Sequence, residues 1–367
     1  MHLTTLLTPL LSLLTTPLTT LALLPPAVKA QYIKTIDPLP APPHAVTIDF
    51  LAPSAQFSDL TAPKLDEINT TVFEWWYFDA ISSANPNASL VFTFFTATAT
   101  GFPLIPPNAS SVLLTYVWAT MPDGRVVVDR AVPGDAAVLG EEGRSAGLWE
   151  GTGGWISSVD LGGKGMVEAW VGWEGGRLHP PTTPCSNPNA FDPSLILGPY
   201  LGWVDLVPAA RAVVDVVVDG QPLQFTGYGY HDKNWGSRPF QTLIKTWSWG
   251  HATVGAYSLV WFQYHPAPGL DPANPNSINP VISAYLARDG QVLISGCEAG
   301  IVNVTEKSAG GRYAVEMVMQ GVRLDVQGVL LVAGDAKYYS RWNGRVGGVV
   351  LGERVGGGVA VFETFQF

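Results

Sequence analysis

The amino-acid sequence predicts an all-β protein built as an antiparallel sandwich or barrel. Three observations carry this. The 367 residues include 39 Gly and 30 Pro, too many helix breakers for a bundle or a coiled coil. No stretch holds a helical apolar period for three turns without Gly or Pro. From Val72 onward, short apolar or alternating runs recur between turn signals such as Asp123-Gly124, Asp219-Gly220, Asp289-Gly290 and Gly310-Gly311, the pattern of successive hairpins.

In chain order, residues 1–30 contain no acid and one base, Lys29, with Leu and Thr dominant. Val28-Lys29-Ala30 puts small residues where a signal peptidase reads them before Gln31, so a cleaved secretory signal is expected. The alternative is a membrane anchor. Pro9, Pro17 and the many Thr disfavour it, because a spanning helix wants roughly 20 mostly apolar residues. Four Asn-x-Ser/Thr sequons, at Asn69, Asn87, Asn108 and Asn303, predict an N-glycosylated protein of the secretory pathway or the extracellular space. Residues 31–70 are Pro-rich and read as an extended arm.

Strands are expected at 72–81, 90–98, 111–119, 125–130, 166–173, 212–218, 223–230, 244–249, 256–264, 281–287, 314–319, 322–332, 346–351 and 359–367. Two Pro-rich loops, 179–199 and 265–280, are either binding lids or rigid excursions. A boundary near 236–243 divides a first domain, 71–240, from a second, 241–367. Cys185 and Cys297 either form one bridge or stay as buried thiols.

Composition limits the function. Hydrophobic residues make up 47%, and 13 are Trp, which excludes a disordered chain. With 20 basic against 30 acidic residues and a net charge of −10, no nucleic-acid surface is expected. There is no Gly-x-Ser-x-Gly elbow, no His-Glu-x-x-His site and no Gly-rich dinucleotide loop, so neither metal nor cofactor is expected.

Two constellations carry chemistry. Phe73-Glu74-Trp75-Trp76-Tyr77-Phe78-Asp79 is a run of aromatic and acidic residues. As a strand it places Glu74, Trp76 and Phe78 on one face and Phe73, Trp75, Tyr77 and Asp79 on the other. A carboxylate beside two indoles needs a hydrogen-bond donor, an indole N–H or a Lys. The second constellation is Gly227-Tyr228-Gly229-Tyr230-His231-Asp232-Lys233-Asn234-Trp235-Gly236. Between Phe225 and His265 lie 11 aromatics in 41 residues, which suits either a cavity wall for an apolar ligand or a Trp-rich core. From Lys233 to Leu270 there is no Asp or Glu, against the paired carboxylates of a glycosidase.

Glu74-Trp75-Trp76-Tyr77-Phe78-Asp79, Tyr230 to Gly236, Trp247-Ser248-Trp249, Arg341-Trp342-Asn343-Gly344 and Phe362 to Phe367 together resemble the lipocalin-like hydroxyneurosporene synthase (carotenoid hydratase) superfamily. The resemblance spans 72–367. It implies two calycin/lipocalin-like β-domains, an N-terminal β-sandwich and a C-terminal β-barrel, with a pocket near their junction. Fungal members include Diels–Alderases and hetero-Diels–Alderases of secondary metabolism. The chain departs from the bacterial hydratases: Lys233 stands where they carry His. The strand 257–264 offers Trp261, Phe262, Gln263 and Tyr264 but no carboxylate to protonate an alkene.

The resemblance therefore implies a stereoselective [4+2] cycloaddition on a hydrophobic polyene of polyketide or terpenoid origin, without cofactor and without stable membrane insertion after signal cleavage. The expected wall is Trp76, Trp235, Trp247, Trp249, Trp261 and Trp342. The expected donors are Lys233, Asn234, Tyr230, Gln263 and Lys245, oriented by Glu74 and Asp232. A hydratase of an isoprenoid alkene, a non-catalytic lipocalin-type carrier and a secreted carbohydrate-active protein are the alternatives.

Overall fold

The computed structural model describes residues 32–46, 60–141, 144–159, 165–170, 176–178, 195–270, 279–309, 312–334 and 338–367. The expected signal peptide, Cys185 and most of the loop 179–199 lie outside the described residues. The first sheet comprises β1 (Tyr32–Ile36), β2 (Phe73–Ser82), β3 (Ser89–Ala97), β4 (Leu113–Thr120), β5 (Val126–Ala131), β6 (Ala136–Glu141), β7 (Arg144–Trp149), β8 (Gly153–Val159), β9 (Gly165–Trp170), β10 (Gly176–Leu178), β11 (Ile196–Gly198), β12 (Leu201–Val218) and β13 (Gln221–Gly236). A four-residue helix, α1 (Phe240–Leu243), leads to the second sheet. That sheet holds β14 (Ile244–Val254), β15 (Tyr257–Pro266), β16 (Val281–Arg288), β17 (Gln291–Gly296), β18 (Val302–Ala309), β19 (Arg312–Met319), β20 (Val322–Gly334), β21 (Tyr339–Val350) and β22 (Glu353–Gln366). The all-β expectation holds.

The first sheet runs β1-β6-β7-β8-β9-β10-β12-β13-β2-β3-β4-β5, with β11 beside β12. It folds over its own core like a sandwich. The Trp76 ring on β2 lies 5.3 Å from Trp149 of β7 and 5.4 Å from Trp155 of β8. Two glycines make room for these indoles. A Cβ on Gly147 would stand 2.0 Å from Trp155, and one on Gly202 2.0 Å from Trp235. The Pro-rich arm contributes β1, paired with β6.

The second sheet runs β17-β16-β15-β14-β22-β21-β20-β19-β18 and curls until β18 meets β15. There the Gln263 amide donates to the Val304 carbonyl and accepts from the Val304 N–H, both at 3.0 Å. Trp261, Met317, Leu324 and Phe362 fill the interior.

Alternation assigns every strand of the contact between the sheets. On β2, Glu74, Trp76 and Phe78 face the first sheet's own core, while Phe73, Trp75, Tyr77 and Asp79 face the second sheet, as the sequence predicts. β13 repeats this: His231, Lys233 and Trp235 point into the first core, Tyr230, Asp232 and Asn234 toward the second sheet. The second sheet answers with Trp247, Trp249, Phe262, Tyr339 and Phe365.

Several features depart from expectation. β1, β6, β7, β8, β10, β11, β17 and β18 were not among the expected strands, β11 falling in the expected loop 179–199; β6 to β8 are short, with glycines that blur the period of two. β12 begins at Leu201, eleven residues before the expected run, and β13 continues through the second constellation to Gly236. Asn69 is buried, donates to the His44 carbonyl at 2.9 Å and accepts from the Thr71 N–H and hydroxyl. That sequon is closed in the folded protein, whereas Asn108 and Asn303 are exposed. Cys297 is disulfide-bonded. Among the described residues no helix is long and apolar enough to cross a membrane.

Candidate active site at the junction of the two sheets

The expected site residues do not share one pocket. Glu74, Trp76, Lys233 and Trp235 lie in the core of the first sheet. There Lys233 ion-pairs with Glu74, its Nζ 4.0 Å over the Trp76 ring and 5.3 Å over Trp235. Burial raises the Glu74 carboxyl and lowers the Lys233 ammonium to about 7. Glu74 also accepts the Lys64 N–H at 2.5 Å, and Trp76 donates to the Thr61 carbonyl at 2.8 Å. His231 stacks on Phe78 and donates to the Tyr77 carbonyl; burial takes its pKa to about 3, so it is neutral.

Trp261 and Gln263 lie inside the curled second sheet, Gln263 spent on its seam. Trp342 is half-buried there against Tyr313 at 4.2 Å. Lys245 is exposed on the outer rim. The junction keeps Tyr230, Asp232, Asn234, Trp247 and Trp249.

Around these five, folding gathers residues that were not expected in the site. Asp79 accepts from the Tyr77 hydroxyl at 2.7 Å and lies 2.9 Å from His251 Nε2. Tyr230 stacks on His251 at 4.8 Å and donates to Asp232 at 3.0 Å. Asp232 also accepts from Trp203 Nε1 at 2.9 Å and Asn234 Nδ2 at 3.1 Å. Arg341 sits among the rings of Tyr77, Trp118 and Tyr339 at 4.8–5.6 Å, donating from Nε to Glu363 at 3.3 Å. Glu363 also accepts from the Tyr339 hydroxyl at 3.1 Å. Asp205 stands opposite Asp232 on β12.

The expected lack of acids is thereby corrected. Strands 244–265 carry none, but Asp79, Asp205, Asp232 and Glu363 reach the same space from β2, β12, β13 and β22, all buried. Register across strands is invisible to a linear count. Burial lifts Asp232 to about 7 and Glu363 upward; burial and the Asp232 charge together push Asp205 well above the carboxylate range. Tyr77, Tyr230 and Tyr339 are raised well beyond ordinary phenols by burial, so they stay protonated donors. Spare hydrogen-bonding capacity remains among the described residues at Arg341 Nη1, Trp247 Nε1 and Asn234 Oδ1.

Tyr339 connects this network to open space. It lines a cleft of about 590 Å³ together with Pro103, Leu104, Tyr338, Phe365 and Phe367, within the roughly 300–1,000 Å³ of small-molecule sites. A second cleft, about 620 Å³, lies against the arm and is walled by Asp37, Asp66, Glu67, Asp135 and Glu74, a poor fit to an apolar ligand. The signals for the missed residues were present but scattered: Arg341 and Glu363 in the C-terminal motifs, His251 after the Trp pair, and Asp205 inside an apolar run.

Known proteins share this architecture. The structure superposes on the crystal structure of CghA with Sch210972 at a TM-score of 0.71 and 16% identity, over 92% of this chain and 99% of that one; at that identity the likeness is one of fold. The chain is 30% identical over 259 residues to the quinolone epoxide rearrangement protein asqO of Emericella nidulans, covering 68% of this chain and 67% of that protein. It is 24% identical over 319 residues to the Diels-Alderase cheD of Chaetomium globosum, covering 82% and 71%. Residues 42–307 match the model of the Diels-Alderase-like family, and the chain belongs to that family.

Proposed function

We propose that the chain is a cofactor-independent pericyclase catalysing a stereoselective [4+2] cycloaddition, Diels–Alder or hetero-Diels–Alder, in fungal secondary-metabolite biosynthesis. The observation that carries this reading is the junction. It is a buried aromatic cluster with a few fixed donors, beside an apolar cleft of ligand size. A cycloaddition needs no nucleophile. Holding diene and dienophile in a near-attack pose supplies part of the barrier reduction. Donors aimed at a carbonyl whose electron density rises in the transition state supply more. Among the described residues, Arg341, set among three rings with Nη1 uncommitted, and Trp247 through Nε1 are the donors best placed for this. Aromatic rings on both sheets fit a hydrophobic polyene of polyketide or terpenoid origin.

The test is a linear polyene bearing an unsaturated carbonyl, incubated with purified protein and resolved by chiral chromatography. Acceleration with one stereoisomer is expected, and a stereorandom product at the background rate would sink the reading. Arg341→Gln should lower kcat more than it raises KM.

A second reading is supported by one feature, the buried carboxyls of raised pKa: general-acid rearrangement of an oxygenated substrate. The name of the asqO relative points the same way. Substrate recovered as an isomer without a new ring would favour it, and oxygen incorporated from labelled water would favour a hydratase instead. The expected leader and the exposed sequons support passage through the secretory pathway, tested by an endoglycosidase mobility shift on protein recovered from the medium.

A further inference from the structure

Asp205 and Asp232 are opposed on neighbouring antiparallel strands, β12 and β13, on the face turned toward the second sheet. Both are buried. Opposed side chains lie roughly 5 Å apart at Cβ, so two ionised carboxylates here would repel with little water to screen them. One of them carries a proton. The donors decide which. Asp232 accepts from Trp203 Nε1, the Tyr230 hydroxyl and Asn234 Nδ2, and such bonds stabilise the charged form. Among the described residues, neither oxygen of Asp205 has a hydrogen-bond partner of normal geometry, a contribution from the Val207 N–H aside.

The neighbouring charges do not reverse this. Asp79 of β2 and Tyr230 of β13 act on both carboxyls and Glu363 of β22 acts on Asp232; Tyr77, His251, Tyr339 and Arg341 belong to the same network through Asp79 and Glu363. Arg341 is engaged by Glu363, and His251 Nε2 lies against Asp79, so neither side chain is left for Asp205. The register of β12 slips directly after Asp205 and again before Ala210; bulges of this kind re-aim side chains beside functional sites.

We propose that Asp205 is held as a neutral carboxylic acid and serves the junction as a hydrogen-bond donor to a neutral carbonyl oxygen of the substrate. The reaction and the presence of a substrate carbonyl at the junction rest on the pericyclase reading; the protonation of Asp205 does not.

Infrared difference spectroscopy on the purified protein tests it, with chalcone as the carbonyl probe and trans-stilbene as its carbonyl-free counterpart. At pH 8.5, above the value of about 7 to which Asp232 is raised, the wild-type-minus-Asp205→Asn spectrum should contain a protonated-carboxyl stretch that moves in heavy water, and the same band should be found in the Asp232→Asn background. Chalcone should shift that band and stilbene should not. Asp205→Val should weaken chalcone binding, read by tryptophan quenching, by about tenfold, the worth of one hydrogen bond. Stilbene binding should be unchanged, and Asp205→Asn should recover part of the chalcone affinity. A wild-type-minus-Asp205→Asn difference that lacks the band overturns the proposal, as does bound chalcone that leaves the band in place or a junction that admits neither probe. A polyene assay on the wild type, run in parallel, separates failure of the proposal from failure of the pericyclase reading.

Discussion

Replacing Lys233 by Met tests whether this lysine is machinery or framework. Its side chain is 0% exposed and that of Glu74 1%. Removing one member of a buried ion pair strands the other and costs about 3–5 kcal/mol. Met keeps most of the volume and makes favourable contacts with Trp76 and Trp235, so the loss is electrostatic. Glu74 can escape part of it by taking up a proton, at about 1.4 kcal/mol per unit by which pH exceeds its pKa. Burial has already raised that pKa, so the cost falls toward the lower bound and shrinks between pH 7 and pH 5.5. The double variant Glu74→Gln, Lys233→Met keeps an acceptor for the Lys64 N–H and buries no charge. It should return to within about 1–2 kcal/mol of wild type, because apolar replacement of a buried pair is often close to neutral. Urea unfolding at both pH values, followed by tryptophan fluorescence, measures all four corners of the cycle. The reasoning fails if Lys233→Met costs less than about 1 kcal/mol. It fails equally if the double variant regains stability yet loses all turnover, since Lys233 would then be acting on substrate.

Gln263→Leu should cost about 2–4 kcal/mol by leaving the Val304 N–H and carbonyl unpaired, with faster hydrogen exchange at Val304 as the local readout. Gly202→Ala should cost about 3 kcal/mol from overpacking against the Trp235 indole; a thermal melt checks it, and Trp235→Phe in the same chain should recover part. Asp232, raised to about 7 from 3.8, binds more protons folded than unfolded between those values. Its contribution to stability is therefore present below pH 4 and lost as pH rises to 7, at up to about 1.4 kcal/mol per unit. Urea midpoints should fall from pH 5 to pH 7, and Asp232→Asn should flatten that slope. Glycopeptide mapping after expression in a eukaryotic secretory host should find glycan on Asn303 and Asn108 and none on Asn69.

The fold was legible wherever a period of two ran unbroken. The Phe73–Asp79 alternation assigns both faces of β2 correctly because every residue there is large, and a slip would bury different atoms. It failed at β6–β8, where Gly147 makes room for Trp155 and glycines leave little contrast to read. The site was legible only in part. Tyr230, Asp232 and Asn234 stand together at the candidate site because they alternate along one strand. Asp79, Asp205, Arg341 and Glu363 meet through pairing of β2 with β13, β13 with β12, and β21 with β22, partners separated by up to about 150 residues. Trp261 and Trp342 lie away from the junction, since an indole's chemistry does not say which side of a strand it occupies.

β13 behaves like a text with two interleaved messages. Its even-numbered letters, 230, 232 and 234, spell the chemistry of the junction, and its odd-numbered letters, 231, 233 and 235, spell the first core. Substitutions can edit either message alone. Deleting or inserting one residue swaps them, driving a lysine into the junction and a carboxylate among the indoles. Divergence along this strand should accordingly proceed by replacement and never by a change of length, and directed evolution can vary alternate codons there with the others held constant.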